Sequence, residues 1–441
     1  MRGAFEHPAP ESSAGGNPDP HQIEWCERRI LQRIHRLTLA TARKQVEAVT
    51  PAVYMRWLLG WQHLAPQTQL SGEDGLLAAI AQLEGFEAPA VEWERTLLPA
   101  RVAHYDPRWL DQLCLSGAIG WGRVSPHPAW SAGEGAAPRR VIPTNAAPIT
   151  FYLRESADWL PHALAAQSID PATLAAALSP EAVQIRTQLI QRGASFANDL
   201  QRHTGLTRQQ TCHALWELAT AGLASADGFD QLRSMMDPRR KAAAHEPTTL
   251  AKRTSARSTA GRWSLFLEAE PAPTPLAKPT REDLQQAAIA EARRLDRALE
   301  SAARMLLCRY GILFRDLLQR ESNAPKWRDL LPLLRRLEAR GEIRGGRFVT
   351  GFSGEQFALP EAVDSLRASR SQASEHELAV AAADPMNLAG IIVPGDRVPA
   401  VPGRFVRFRN GCIESPVPAA PSPQAAPLPP PLAIPQPLNL F

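Results

Sequence analysis

The chain has 441 residues, of which 44% are hydrophobic and 21% charged, and a net charge of +4. At roughly 100–200 residues per domain this is two to four domains rather than one core. The apolar share excludes a mainly disordered chain, and no apolar run reaches the ~18 residues of a membrane-spanning helix. Cys26, Cys114, Cys212, Cys308 and Cys412 are each nearly ninety or more residues from the next. That spacing excludes a Cys-x-x-Cys zinc site and a dense disulfide scaffold, so the cysteines read as buried, reduced thiols.

Lysine occurs five times and arginine forty-four times. Arginine forks onto phosphates as lysine cannot. An Ala-, Pro- and Arg-rich composition also follows from GC-rich codons, so the placement of the arginines has to carry the argument.

Residues 1–20 are polar, lack the apolar core of a signal peptide and read as a disordered N-terminus. From 21 to 160 the pattern predicts helices over 23–47, 51–62, 75–84, 91–98 and 107–116. The last ends at Gly117 and leaves as a short strand, Ile119-Gly120-Trp121. A loop over 125–148 carries Arg139 and Arg140, and the aromatic strand Ile149-Thr150-Phe151-Tyr152-Leu153 closes the unit.

A second copy occupies 178–268. Helices are expected over 182–192 and, capped by Ser195, over 196–203. Thr207 and Gln210 form a capping box for a third helix, in which Cys212, Leu215, Trp216 and Ala219 make an apolar stripe. Gln209, His213 and Glu217 fall on another face, where Gln209 and His213, with Arg208, can reach bases or phosphates. His213 has no second metal ligand near it in sequence, and no metal site is expected. Residues 237–262 read as a basic disordered wing, with Arg240, Lys241, Arg253 and Arg262 among its cations. Such a loop suits sequence-independent phosphate neutralisation; a plain solvated linker is the alternative. Arg262-Trp263-Ser264-Leu265-Phe266 is its closing strand.

The third copy, 281–370, is the most basic. It predicts a long helix over 284–310, a short one over 314–320 and a third over 327–340. The third helix buries Trp327, Leu330, Leu331, Leu334 and Leu337 and exposes Arg328, Arg335, Arg336 and Arg340. Pro332 predicts a kink or a fresh start near Leu331. Arg344 and Arg347 sit on the wing, before the strand Gln356-Phe357-Ala358-Leu359.

Residues 375–414 change to period two, with strands expected over 378–382, 389–393 and 404–409. Asn410-Gly411 is a hairpin signal. Asp384-Pro385-Met386-Asn387 is a polar turn in which Asp384 reads as a turn cap. Residues 415–441 hold ten prolines and read as a Pro-rich disordered tail, a form that suits a partner.

The thrice-repeated order of helix, helix, helix, strand, wing and strand is that of a winged helix, whose third helix often enters the DNA major groove. The expected fold class is α+β, mainly α: tandem winged-helix domains followed by a small β module. There is no Gly-Lys pair for a P-loop, no Asp-Glu pair, and no G-x-G-x-x-G, H-E-x-x-H or G-x-S-x-G. No ATP-binding motif and no cofactor are expected, and helicase activity from this chain alone is excluded.

Several runs together carry a family resemblance. They are Trp25-Cys26-Glu27-Arg28-Arg29, Ile34-His35-Arg36, Phe86-Glu87-Ala88-Pro89, Leu215-Trp216-Glu217-Leu218, Arg309-Tyr310-Gly311, Phe314-Arg315-Asp316-Leu317-Leu318-Gln319-Arg320-Glu321, the stretch from Arg335 to Val349, Gly351 to Phe357, and Ala383-Asp384-Pro385-Met386-Asn387-Leu388. Over roughly residues 21–413, and most specifically over 309–357, the chain resembles the C-terminal region of the large helicase-related (Lhr) family of bacterial superfamily 2 DNA helicases. The resemblance implies a role in DNA repair and tandem winged helices, without the two RecA-like motor domains of the long members. It also implies a likeness to winged-helix DNA glycosylases, with uracil excision attributed to the region. The short front and the proline tail suggest a gene fragment or a split subunit.

Three readings stand. The first is a DNA-binding accessory region of an Lhr-type helicase, cytoplasmic and nucleoid-associated. Its partners are single-stranded or duplex DNA and a separate motor chain, with homo-oligomers also foreseen and no membrane. The second is a uracil-type DNA glycosylase, in which a carboxylate stabilises the cationic sugar and polarises water; Asp384 is the candidate and Glu217 the weaker one. The third is a scaffold for oligomers or a motor.

Overall fold

The computed structural model describes residues 3–5, 24–44, 46–131, 139–160, 171–236, 261–266, 280–370 and 376–417. Strand β1 (Gly3–Phe5) pairs antiparallel with β2 (Glu24–Cys26). Three residues expected to be disordered therefore lie in a strand; 6–20 lie outside the described residues. Helices α1 (Arg28–Lys44) and α2 (Pro51–Trp61) follow. The Thr50 side chain accepts from the Val53 N–H at the start of α2, and Pro51 at the first position has no N–H to leave unpaired.

The first winged unit begins at β3 (Leu70–Ser71), α3 (Gly72–Leu83) and β4 (Ala88–Pro89). A helical stretch then runs as α4 (Ala90–Glu92), a π turn Trp93–Leu97 and α5 (Leu98–Arg101). In the π turn the Leu98 N–H reaches back to the Trp93 carbonyl, and Pro99 beside it has no N–H to offer. After β5 (Val102–Ala103), parallel to β3, come α6 (Pro107–Leu115), β6 (Ile119–Gly122) and β7 (Pro148–Leu153).

The second unit has α7 (Pro171–Ala177), α8 (Pro180–Arg192), β8 (Ser195–Phe196), α9 (Ala197–Thr204), α10 (Arg208–Ala221), β9 (Ala224–Ala226), α11 (Asp230–Met236) and β10 (Arg262–Leu265). Phe196, not Ser195, is the cap residue of α9, and the Ser195 hydroxyl instead donates to the Gly193 carbonyl at 3.0 Å. The third unit has α12 (Arg281–Tyr310), β11 (Ile312–Leu313), a 3-10 turn Arg315–Arg320, α13 (Trp327–Ala339), β12 (Arg344–Gly346), β13 (Gln356–Ala358) and α14 (Pro360–Ser369). Helix α13 runs through Pro332 without a break. The proline stands in the second turn, where its missing N–H costs one bond, to the Arg328 carbonyl.

Each unit closes the same three-stranded antiparallel sheet. Its last strand lies between the first two, as β4-β7-β6, β8-β10-β9 and β11-β13-β12. After α6, α10 and α13 come Gly117, Gly222 and Gly341, with φ of +81°, +79° and +80°. All three hold the left-handed conformation that ends a helix and turns the chain into the second strand.

The last module is β14 (Glu377–Ala381), β15 (Phe405–Arg409) and β16 (Cys412–Val417), antiparallel in that order. Asn410 and Gly411, at φ of +49° and +81°, turn its hairpin as expected. Residues 389–393 are not a strand: they fold back on a single Ala389–Val393 bridge, with Gly390 at φ +66°. The proline tail was expected from 415, but β16 continues to Val417; 418–441 lie outside the described residues.

Two cores result. One joins the first and second units through Trp93, Trp121, Phe151, Phe229 and Trp263. The other joins α2, the third unit and the β module through Tyr54, Trp57, Tyr310, Phe314 and Phe408. Sequence order placed α1 and α2 in the first unit (21–160), but α2 packs in the core of the third. The Tyr54 hydroxyl donates to the Tyr310 and Ile312 carbonyls at 3.1 and 3.2 Å, and Trp61 Nε1 donates to the Cys308 carbonyl at 2.9 Å. A small cluster including Tyr152, Trp159, Phe266 and Ala302 seals the seam between the halves. Among the described residues no helix is long and apolar enough to cross a membrane; of the cysteines expected to be buried, Cys114 is, Cys26, Cys212 and Cys308 are half-buried, and Cys412 is exposed.

Candidate nucleic-acid interface

Helix α10 holds the position of a recognition helix in the second unit. The Thr207–Gln210 capping box is formed on both sides: Thr207 Oγ1 faces the Gln210 N–H at 3.3 Å, and the Thr207 N–H donates to Gln210 Oε1 at 3.0 Å. From Ala214 to Ala221 every side chain is buried against the unit's own sheet and the first unit. Arg208, Gln209 and His213 are exposed. Only the first turns of this helix are open to a groove, which is the end that recognition helices present to base edges.

Glu217 was expected on the face of Gln209 and His213, but it is buried. Its carboxylate accepts from the Ser179 N–H at 2.7 Å and the Ser179 hydroxyl at 2.6 Å, tying α10 to the start of α8. Arg262 pairs with Asp227 at 3.0 Å. Arg240, Lys241 and Arg253 lie outside the described residues.

The arginines expected on the third unit have carboxylate neighbours. Arg335 pairs with Glu355 at 2.6 Å, Arg336 with Asp296 at 2.6 Å and Arg340 with Glu300 at 3.3 Å. Arg344 lies 3.7 Å from Asp364, and Arg328 3.3 Å from Asp329. Such exposed pairs are weak, at ~0–1 kcal/mol each, so a phosphate can displace a carboxylate. Their charges nevertheless cancel in the field that draws a polyanion in. Arg347 is exposed on the wing with no ion pair among the described residues.

Asp384 is buried where the β module meets α5 and α2. Arg101 Nη1 donates to its Oδ2 at 2.7 Å and Arg101 Nη2 to its Oδ1 at 2.9 Å. Oδ1 also accepts from the Met386 N–H at 2.9 Å, the turn-capping use. The same guanidinium donates to Gln62 Oε1 and the Leu97 carbonyl. Both carboxylate oxygens are thus committed to a buried two-point ion pair between units.

Two family models describing a winged-helix domain of the large helicase-related protein match this chain, the third such domain over residues 49–137 and the fourth over 292–378. Both matches are to winged-helix domains of the large helicase-related protein, in agreement with the fold of the two units. A Mycolicibacterium smegmatis protein named Lhr helicase/probable uracil glycosylase is 29% identical over 411 residues, covering 86% of this chain and 24% of its own length. An Escherichia coli protein named Lhr helicase/uracil glycosylase is 27% identical over 425 residues, covering 88% of this chain and 24% of its own length. The chain spans about a quarter of the length of these curated relatives.

Two further features of this chain have no counterpart among the site residues predicted from the sequence. An open cleft of ≈ 530 Å³ at the seam is lined by Glu84, Ser156, Asp158, Arg297, Arg304 and Cys308, among others. Burial pushes the Glu84 carboxyl up, against hydrogen bonds from Trp159 Nε1, the Leu153 N–H and Ser156 Oγ. Those three donors fasten the 3-10 turn Arg154–Trp159 to the end of α3. The second feature is α1, where Arg28, Arg29, Arg33 and Arg36 are exposed with no ion pair among the described residues. Their signal in the sequence is a helix-length run without a single acid.

Proposed function

We propose that the chain is a DNA-binding region of an Lhr-type helicase, acting in DNA repair through contacts made mainly to phosphates. The observation that carries this reading is the exposed tip of α10, with Arg208, Gln209 and His213 standing clear of a winged-helix body. Binding is expected to need neither nucleotide nor metal. ATP motifs are absent from these residues, so unwinding needs a motor elsewhere in a longer polypeptide or in a separate chain; the site of action is the nucleoid. The test is a gel shift of a labelled duplex without ATP. The wild-type chain retards the duplex at low salt. The combined change Arg208→Ala, Gln209→Ala and His213→Ala weakens binding about tenfold or more, since a good base contact is worth about 1–3 kcal/mol. No retardation by the wild-type chain overturns the reading.

A second reading, uracil excision, is favoured by the printed names of both relatives. It is tested on a strand carrying one uracil, by alkali cleavage after incubation with the protein. A cut by the wild-type chain makes it an enzyme, and a cut lost with Asp384→Asn but kept with Arg101→Met, which breaks the same ion pair, puts Asp384 in its site. A cut that survives Asp384→Asn removes Asp384 from that role and leaves it holding Arg101.

A further inference from the structure

Helix α1 is seventeen residues long and has no acid from Arg28 to Lys44. At 1.5 Å per residue it extends about 25 Å. Arg29, Arg33 and Arg36 recur at i, i+4 and i+7 on one arc, with Arg28 about 100° round the helix from Arg29, on the side away from Ile30. Ile30, Ile34 and Leu37, exposed by 50%, 48% and 59%, form a separate apolar arc.

Acids are interleaved with the arginines of the other long exposed helix, α12, and some of its arginines pair along it. There Arg294 pairs with Glu291 and Arg304 with Glu300, whereas Arg293 and Arg297 have no ion pair among the described residues. Helix α1 offers no such answer to its first four arginines. Its C-terminal end is moored on the third unit: Arg43 reaches Glu338 on α13 and Glu355 before β13, the latter at 2.8 Å, and Val49 bridges to Val349 in the wing. Burial lowers the Arg43 guanidinium, but the hydrogen bonds and charges of Glu338 and Glu355 outweigh this and hold it well above its ordinary range. The arginine that anchors the helix is therefore neutralised, while the four beyond it are not.

We infer that α1 is a phosphate-binding rail: Arg28, Arg29, Arg33 and Arg36 lie along the backbone of a nucleic acid carried past the third unit's wing. A duplex presents a charge about every 1.7 Å of its axis, so a helix of this length faces more phosphates than it has arginines. Four guanidiniums and no lysine among them suit forked phosphate contact. The rail supplies the net positive field that α13 loses to the carboxylates around it. The inference rests on the reading that the chain binds nucleic acid. A basic amphipathic helix also fits an acidic protein segment or an anionic membrane surface, and the test separates these.

The test uses the full chain, fluorescently labelled oligothymidylate and a rising salt series. The variant carries Arg28→Gln, Arg29→Gln, Arg33→Gln and Arg36→Gln together. These side chains have no ion pair to lose among the described residues, so its melting temperature is expected to stay at the wild-type value. The slope of log affinity against log salt becomes shallower by about 3, at roughly 0.7 per phosphate contact on a single strand. The matching set of four lysines restores the slope. A variant that keeps the wild-type slope while the wild-type chain binds overturns the rail alone. Failure of the wild-type chain to bind at low salt overturns the rail and the proposed function together. A variant that binds DNA unchanged but loses polyglutamate, or vesicles of phosphatidylcholine and phosphatidylglycerol, overturns the rail in favour of an acidic protein or a membrane.

Discussion

Arg101 and Asp384 show how one buried charge pair can fix two parts of a chain. Removing one partner leaves the other charged and without its counter-ion in a dry seam, at a cost of about 3–5 kcal/mol. Asp384→Ala is therefore expected to lower the thermal midpoint sharply, and the joint change Arg101→Met with Asp384→Leu to recover much of the loss. A single variant that melts like the wild type contradicts this. Glu84 gives a pH prediction. Its folded carboxyl is pushed up by burial, so its contribution to stability is fully present below the ordinary glutamate value and is lost as pH rises through the raised one. The wild type should lose stability across that window relative to Glu84→Gln, as read from urea midpoints; parallel profiles would remove Glu84 as the cause. Neither role was legible in sequence. The Asp384 turn was visible, but Arg101 stands 283 residues earlier, and local pattern carries no sign of a partner at that distance.

At the scale of elements, legibility followed local chemistry. The Thr207–Gln210 box, the three helix-ending glycines and the Asn410-Gly411 hairpin are set by residues within a few positions of one another, and each was readable. Residues 389–393 are apolar and β-branched like a strand, but Gly390 takes a left-handed turn that composition does not report. The arginines of α13 were correctly exposed, yet their neutralisation by Asp296 and Glu300 on α12 and by Glu355 before β13 depends on two other parts of the chain. Thr207→Ala should cost about 1 kcal/mol through the lost cap. Gly222→Ala should cost more than an ordinary surface change, because φ is +79° and the new Cβ would stand 3.0 Å from the Arg123 carbonyl oxygen. Denaturant midpoints check both. An unchanged midpoint for Gly222→Ala would mean that the helix end relaxes without help from the first unit.

Across the whole molecule the repeats are not beads on a string. The first and second units share one core, and the third shares another with α2 and the β module. A fragment of residues 280–417 lacks Tyr54, Trp57 and Leu58 and is expected to remain unfolded by circular dichroism. A fragment starting at residue 46 supplies them and folds; folding of the shorter piece would show that α2 is dispensable. This interlock also places α1 on the wing of the third unit, far in sequence from the arginines first expected to meet DNA. The central claim is that this winged-helix array holds nucleic acid through its phosphates. It is tested most directly by the fluorescence anisotropy of a labelled strand with the wild-type chain over increasing salt. The account predicts a steep linear fall of log affinity with log salt, gaining about 0.7 in slope per neutralised phosphate. A flat line, or no binding at low salt, would contradict it.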